Sequence, residues 1–175
     1  DLGGALGGGS TAFIHCFRER ELILDLFEDV TGARFHYNTH TIGGNRHDLP
    51  AGFAAKVKSA LEIIEARLPE YGALTIENRI FQQRTKGVGV LDGELALELG
   101  ITGPNLRASG VDHDLRRDAP YSAYDEVKVN VATATGGDCY ARSIVRVAEI
   151  KESIRLARAF LDGMPEGPIN SGKPT

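Results

Sequence analysis

The residues best suited to chemistry are three histidines, His36, His40 and His47, which form the histidine cluster of the chain. His36 and His40 stand four apart, the spacing at which helical imidazoles share a face and can bind zinc. The neighbours argue against a helix, because the segment between Gly32 and Gly43-Gly44 is rich in Thr, Tyr and Phe. There is no HExxH pattern and no acidic residue at the usual ligand spacing, so the cluster reads as surface or interface histidines. Two cysteines, Cys16 and Cys139, lie far apart, wrongly spaced for a zinc or iron–sulfur motif, and read as two buried thiols in a reducing compartment. The run Arg18-Glu19-Arg20-Glu21 opens an acidic stripe in which Asp25 and Glu28 follow Glu21 by one and two helical turns. Such a stripe is either a solvated face or half of an internal ion-pair network. The glycine-rich GGALGGGS at 3–10 lacks the Lys-Ser/Thr ending of a phosphate loop and follows no strand. No GxSxG elbow and no Cys–His pair in triad-like context occurs.

These side chains sit in a chain of 175 residues with 20 basic and 24 acidic groups, a formal charge of −4 and 42% apolar residues. The proportions are those of one ordinary globular domain, or one large piece of a longer chain. Enough Leu, Ile, Val and Phe are present to exclude disorder of the whole chain. The missing basic footprint argues against nucleic-acid binding. No apolar run reaches the length of a bilayer span. The start at Asp1-Leu2-Gly3-Gly4, without Met or a basic leader, reads as the middle of a longer chain.

The positioning elements are predicted as helices. Ser10-Thr11 can cap a first helix that buries Phe13, Phe17, Ile23, Leu24, Leu26, Phe27 and Val30 and stops near Gly32. Asp48 and Pro50 announce a second, with a seam of Phe53, Val57, Leu61, Ile64 and Leu68, interrupted by Pro69 and Gly72. A further helical stretch is expected within Leu74 to Gln83. Asp92 to Leu99 reads as a short helix ended by Gly100. Gly103-Pro104 and Gly110 mark turns, as do Gly87-Val88-Gly89 and Gly136-Gly137. Val127, Val129 and Val131 alternate as in a strand. Tyr140, Ile144, Val147, Ile150, Ile154, Ala157 and Leu161 predict a long bundle helix, closed by Gly163 and Pro165, whose charges from Arg142 to Arg155 form a solvated or interface face. The fold class is mainly α, a helix-bundle core with small β elements and long ordered loops. The loops at 33–50 and 101–137 are long enough to need pinning, for instance by a partner chain.

Larger blocks carry a resemblance. FRERELILDLFEDVTGARFH (17–36), GGNRHDLPAG (43–52), NRIFQQRTKGVGVL (78–91), GITGPNLRASGVDHDLRRDAPYSAYDEV (100–127), GDCYARSIVRVAEIKESIRLA (137–157) and MPEGPI (164–169) occur in this order. Together they resemble the central part of the 49 kDa-type subunit of respiratory NADH–quinone oxidoreductase (complex I). The resemblance implies a fold like that of the nickel–iron hydrogenase large subunit. It makes residues 1–175 one piece of a longer domain, with the N- and C-terminal parts of the parent missing. It implies a small iron–sulfur subunit as partner, alongside other complex subunits, with quinone as substrate. The terminal iron–sulfur cluster lies in that partner and NADH binds elsewhere in the complex, so no cofactor or metal is expected on this segment. Electron transfer from NADH to quinone would be coupled to proton translocation. The location implied is peripheral, on the cytoplasmic side of the bacterial plasma membrane, with membrane contact through partners.

Within the resemblance, His36 of the GARxH block falls beside the terminal cluster as a redox-linked protonation site. One electron added about 5 Å away, at an effective dielectric of about 20, favours imidazolium by roughly 3 kcal/mol. Imidazole is the side chain suited to such a response near neutral pH. Arg34, with Gly43-Gly44, would shape the loop facing the partner. Thr41-Ile42 stands where many relatives have Arg followed by Pro or Ile, and His113 where an aromatic residue is common. The histidine and tyrosine that meet the quinone headgroup would lie upstream of Asp1. Two other readings fit parts of the pattern: the large subunit of a membrane-bound, energy-converting nickel–iron hydrogenase, and a non-catalytic assembly module.

Overall fold

The computed structural model describes residues 11–172; the glycine-rich segment and the Ser10 cap lie outside the described residues. Helix α1 spans Thr11–Thr31 and ends where Gly32, at φ 73°, returns its N–H to the Glu28 carbonyl. A two-residue hairpin follows, β1 (His40–Thr41) and β2 (Gly44–Asn45), antiparallel with His40 opposite Asn45. Helix α2 spans Phe53–Leu74. Four short helices come next: α3 (Arg79–Thr85), α4 (Gly93–Glu98), α5 (Gly103–Ala108) and α6 (Leu115–Asp118). A 3-10 turn at Tyr124–Glu126 leads to the long helix α7, Cys139–Asp162. The described chain is therefore mainly helical, as expected.

Side-chain caps explain several of these starts. Asn78 accepts from the Ile80 N–H at 2.8 Å, Asp92 from Leu95 at 2.8 Å and Asp138 from Ala141 at 2.7 Å. Asp138 also accepts the Gly87 N–H at 2.8 Å, so one carboxylate starts α7 and holds the Gly87-Val88-Gly89 turn.

Helix α7 serves two cores. Ile154 and Ala157 pack with Leu61, Leu68, Val57, Ile64 and Tyr71 of α2. Ala141 and Val145 pack with Ala108 of α5 and with Ala132 and Ala134. Helix α1 in turn lies on α2. This double packing corrects the single predicted seam: Ile144 and Ile150 are exposed, while Val145 and Leu156 are buried. An arc buried on two sides is wider than one apolar stripe, and part of it is polar.

That polar part also removes the predicted strand. Val129 is buried, but residues 127–131 are irregular. The Asn130 N–H and side-chain amide donate to the Glu152 carboxylate at 2.8 and 3.1 Å, and Arg155 donates to the Lys128 carbonyl. Side chains of α7 thus take the backbone bonds that a neighbouring strand would have made. The Arg155 guanidinium, at 2.6 Å, holds the Glu152 carboxyl down to about 2 against its burial, helped by Asn130. The charged face of α7 is therefore largely structural: Glu152 is buried, and Arg142 donates to the Gly89 and Gly137 carbonyls at 2.7 Å each.

Three further expectations change. Helix α2 runs through Pro69 to Leu74, because the burial of Leu68 and Tyr71 offsets one missing N–H. Gly103-Pro104 opens α5 rather than a simple turn, with Pro104 in its first turn. Cys16 is exposed and Cys139 half-buried, so neither is a core thiol.

The loop at 101–137 is pinned from within the chain. Arg107 meets Asp114 at 3.2 Å and Glu149 at 2.8 Å, and Arg116 meets the same two carboxylates at 2.6 and 2.8 Å. This quartet ties α5 and α6 to α7, and Arg107 and Asp114 are both buried.

Candidate functional site

The site is built on the acidic stripe of α1. Glu21, Asp25 and Glu28 share one face, and repulsion among them would fray the helix without a cation. The chain reverses at Thr31–Ala33, where Thr31 exchanges hydrogen bonds with Ala33 at 2.9 and 3.1 Å. That reversal returns Arg34 over the stripe. Its guanidinium donates to Asp25 at 2.5 Å, to Glu28 at 3.2 Å and to Glu21. The stripe is thus both a solvated face and an ion-pair network: Arg34 pairs with all three carboxylates, each of which stays exposed, and the carboxylates raise the Arg34 pKa above its ordinary value.

Three residues on, Tyr37 stacks on Phe27 of α1, ring centres 4.2 Å apart and planes at 26°. Its hydroxyl donates to the Arg34 carbonyl at 3.2 Å. Both ends of the short 34–37 segment are thus fastened to α1. Phe35 and His36 project between the fastenings, Phe35 75% exposed and set edge-on to the imidazole at 4.8 Å.

The hairpin forms the neighbouring wall. The His40 ring nitrogen Nδ1 lies 3.0 Å from Asn45 Oδ1 across the strand pair. Residues 169–171 run along the hairpin: Asn45 N–H donates to the Ile169 carbonyl at 2.9 Å, and Ser171 N–H to the Gly43 carbonyl at 2.8 Å. Ile42 at the tip is 81% exposed. Behind the hairpin a largely apolar cavity of about 490 Å³ opens between Leu26 and Phe27 of α1, Phe53 and Val57 of α2, and Ala157 and Leu161 of α7.

The three histidines do not converge. His40 and His47 line a wider cleft with Asp48 and Glu166, and His36 stands outside it. Among the described residues no group of three His, Cys, Asp or Glu side chains is placed to hold a metal ion. His113, the second departure from the resemblance, points Nδ1 at Asp118 Oδ2, 2.9 Å away, and so belongs to the α6 charge cluster.

Comparison with known proteins decides the family. Residues 7–175 match the model of the respiratory-chain NADH dehydrogenase 49 Kd subunit. The chain belongs to that family. An NADH-quinone oxidoreductase subunit of Rhizobium etli is 49% identical over 168 residues, 96% of this chain and 42% of its own length. Subunit 4 of the Thermus thermophilus NADH-quinone oxidoreductase is 45% identical over 167 residues, 95% of this chain and 41% of its own. An NADH-quinone oxidoreductase subunit of Clostridium beijerinckii is 48% identical over 161 residues, 92% of this chain and 44% of its own. The chain thus spans about two fifths of the length of these curated relatives.

Within this 49 Kd family member, the structure brings together Arg34 and His36, both expected from the resemblance, on one anchored segment. Sequence reasoning missed Tyr37 and Phe27 as the second anchor. The signal was faint: two aromatic residues ten apart meet only because the chain reverses after Gly32. It also missed the quartet of Arg107, Asp114, Arg116 and Glu149, whose only trace was the charge density of DHDLRRD at 112–118.

Proposed function

We propose that this chain is the part of the 49 kDa-type subunit that forms the interface between quinone and the terminal iron–sulfur cluster in a proton-translocating NADH–quinone oxidoreductase. Its fold would be of the nickel–iron hydrogenase large-subunit kind. The observation that carries the reading is the anchored segment, which presents His36 and the exposed Phe35 on a rigid base. An exposed aromatic and imidazole held this way suit burial against a partner. Ile42 at the hairpin tip is a second exposed apolar side chain.

The chain's own residues fit a neighbour of a cluster rather than its holder. Such clusters are typically bound by four thiolates, whereas the two cysteines here are free and lie on different helices, α1 and α7. We place the cluster in a small iron–sulfur subunit packed on this surface and NADH elsewhere in the complex. When bound, the cluster supplies the electron that passes to quinone. What His36 does is hold a proton. Its imidazole takes one up when negative charge arrives nearby and releases it when that charge leaves, stabilising the reduced state at low pH. No helix among the described residues is long and apolar enough to cross a membrane. We assign membrane contact to the partner subunits of the family's complex, with this chain peripheral on the cytoplasmic face.

The test is His36→Met in the assembled complex, with the cluster's midpoint potential titrated against pH. The wild-type potential is expected to fall as pH rises across the neutral range, since deprotonation of the imidazolium removes a stabilising positive charge. The variant is expected to lose that slope, the coupling being worth roughly 3 kcal/mol. An unchanged slope contradicts the role given to His36.

A further inference from the structure

We infer that Tyr37 and Phe27, together with the Arg34 clamp, are positioning residues for His36: they form a two-point bracket on α1 that sets how far the imidazole stands from its redox partner. The inference rests on the function proposed above and adds to it the device that makes His36 effective.

The bracket follows from the contacts on either side of His36. On the N-terminal side, Arg34 is clamped by Asp25 at 2.5 Å, Glu28 at 3.2 Å and Glu21. On the C-terminal side, Tyr37 lies flat against Phe27 with 4.2 Å between ring centres. The Tyr37 hydroxyl then closes the segment on itself at the Arg34 carbonyl, 3.2 Å away. Glu21, Asp25, Phe27 and Glu28 occupy two successive turns of one helix, so both anchors move with a single rigid element. His36 itself has no hydrogen bond or ion pair among the described residues. Its location is therefore inherited from its neighbours. The charged groups fastened to this segment are the three carboxylates of α1, each paired with the Arg34 guanidinium.

Position matters because a Coulomb coupling falls with distance: doubling a separation of about 5 Å at least halves it. An exposed segment released at one end samples many conformers, and a functional group loses effect once its supporting shell is loose by about an ångström. The bracket removes that freedom without touching the imidazole, leaving it accessible to a proton donor and to a partner surface.

The experiment compares variants of both anchors in the assembled complex, with the midpoint potential of the terminal cluster read against pH. Tyr37→Ala and Phe27→Leu each remove one ring of the stack without changing charge. Either is expected to lower the pH slope by about half or more although His36 is still present. Tyr37→Phe keeps the stack and is expected to retain most of the slope. Asp25→Asn, on the other anchor, is expected to raise the potential at every pH by removing a negative charge and also to flatten the slope; a uniform rise alone would show a charge effect without positioning. His36→Met is run beside them. If it leaves the slope intact, the proposed function fails. If it flattens the slope while Tyr37→Ala and Phe27→Leu keep the full slope, the bracket is overturned and the function stands. If Tyr37→Ala yields no complex, Phe27→Leu decides, since it leaves every residue of the projecting segment in place.

Discussion

Arg107→Ala is expected to destabilise the chain by about 3–5 kcal/mol, the cost of removing one partner from a buried charge network. Arg107 is 5% exposed, and its guanidinium joins Asp114 of the loop to Glu149 of α7 at 3.2 and 2.8 Å. It also donates to the His113 carbonyl at 3.3 Å. Without it, the buried Asp114 and the half-buried Glu149 share the single guanidinium of Arg116. That residue now holds the Asp114 carboxyl below the usual carboxylate range, through a hydrogen bond that outweighs burial. The helix-to-loop tie at α5 would open with it, because Ala108 beside Arg107 belongs to the second core. Urea unfolding of the parent subunit should show a lower midpoint with an unchanged dependence on denaturant. A loss below about 1 kcal/mol would place the quartet among surface ion pairs.

Gly44→Ala is expected to break the wall beside the candidate site while sparing the helices. Gly44 has φ 146°, and an added Cβ would stand 2.3 Å from the Ile169 carbonyl oxygen and 2.9 Å from Asn170 Cα. Both are backbone atoms, so the hairpin and residues 169–171 must separate. A penalty of about 3 kcal/mol is reasonable for strain together with the lost bonds. Hydrogen exchange on the assembled complex should then show the Asn45 and Ser171 amides opening about a hundredfold more readily. Those amides donate across this contact at 2.9 and 2.8 Å. Exchange in α7 should not change, as its cores lie elsewhere. Equal acceleration throughout would mean that the hairpin is part of one global unfolding unit.

The helices were legible where a cap and one apolar period coincide. Helix α1 ends at Thr31 before the expected Gly32, α4 starts after Asp92, and α7 starts after Asp138 and stops before Gly163. Legibility failed where a tertiary contact replaced a local rule. Pro69 continues a helix because its neighbours are buried. Val127, Val129 and Val131 alternate as in a strand, yet the backbone between them bonds to Glu152 and Arg155 side chains rather than to another strand. Helix α7 hides its second buried face because Glu152 occupies part of it. The site was half legible. The like-charged spacing of Glu21, Asp25 and Glu28 asks for a cation, but only the reversal at Gly32 shows that Arg34 supplies it. His36 came from the family resemblance, since an exposed imidazole leaves no mark in periodicity. The stack of Tyr37 on Phe27 depends on the same reversal, and no local pattern encodes it.

The most direct test of the central claim is the distance from the His36 imidazole to the nearest iron of the terminal cluster in the assembled complex. A high-resolution structure of the complex, or pulsed electron paramagnetic resonance with isotopically labelled histidine, would measure it. The account predicts about 5–6 Å, where one added electron is felt at roughly 3 kcal/mol. A separation beyond about 15 Å leaves a coupling near 1 kcal/mol or less, and would contradict a redox-linked role for His36 and the purpose assigned to the segment that holds it.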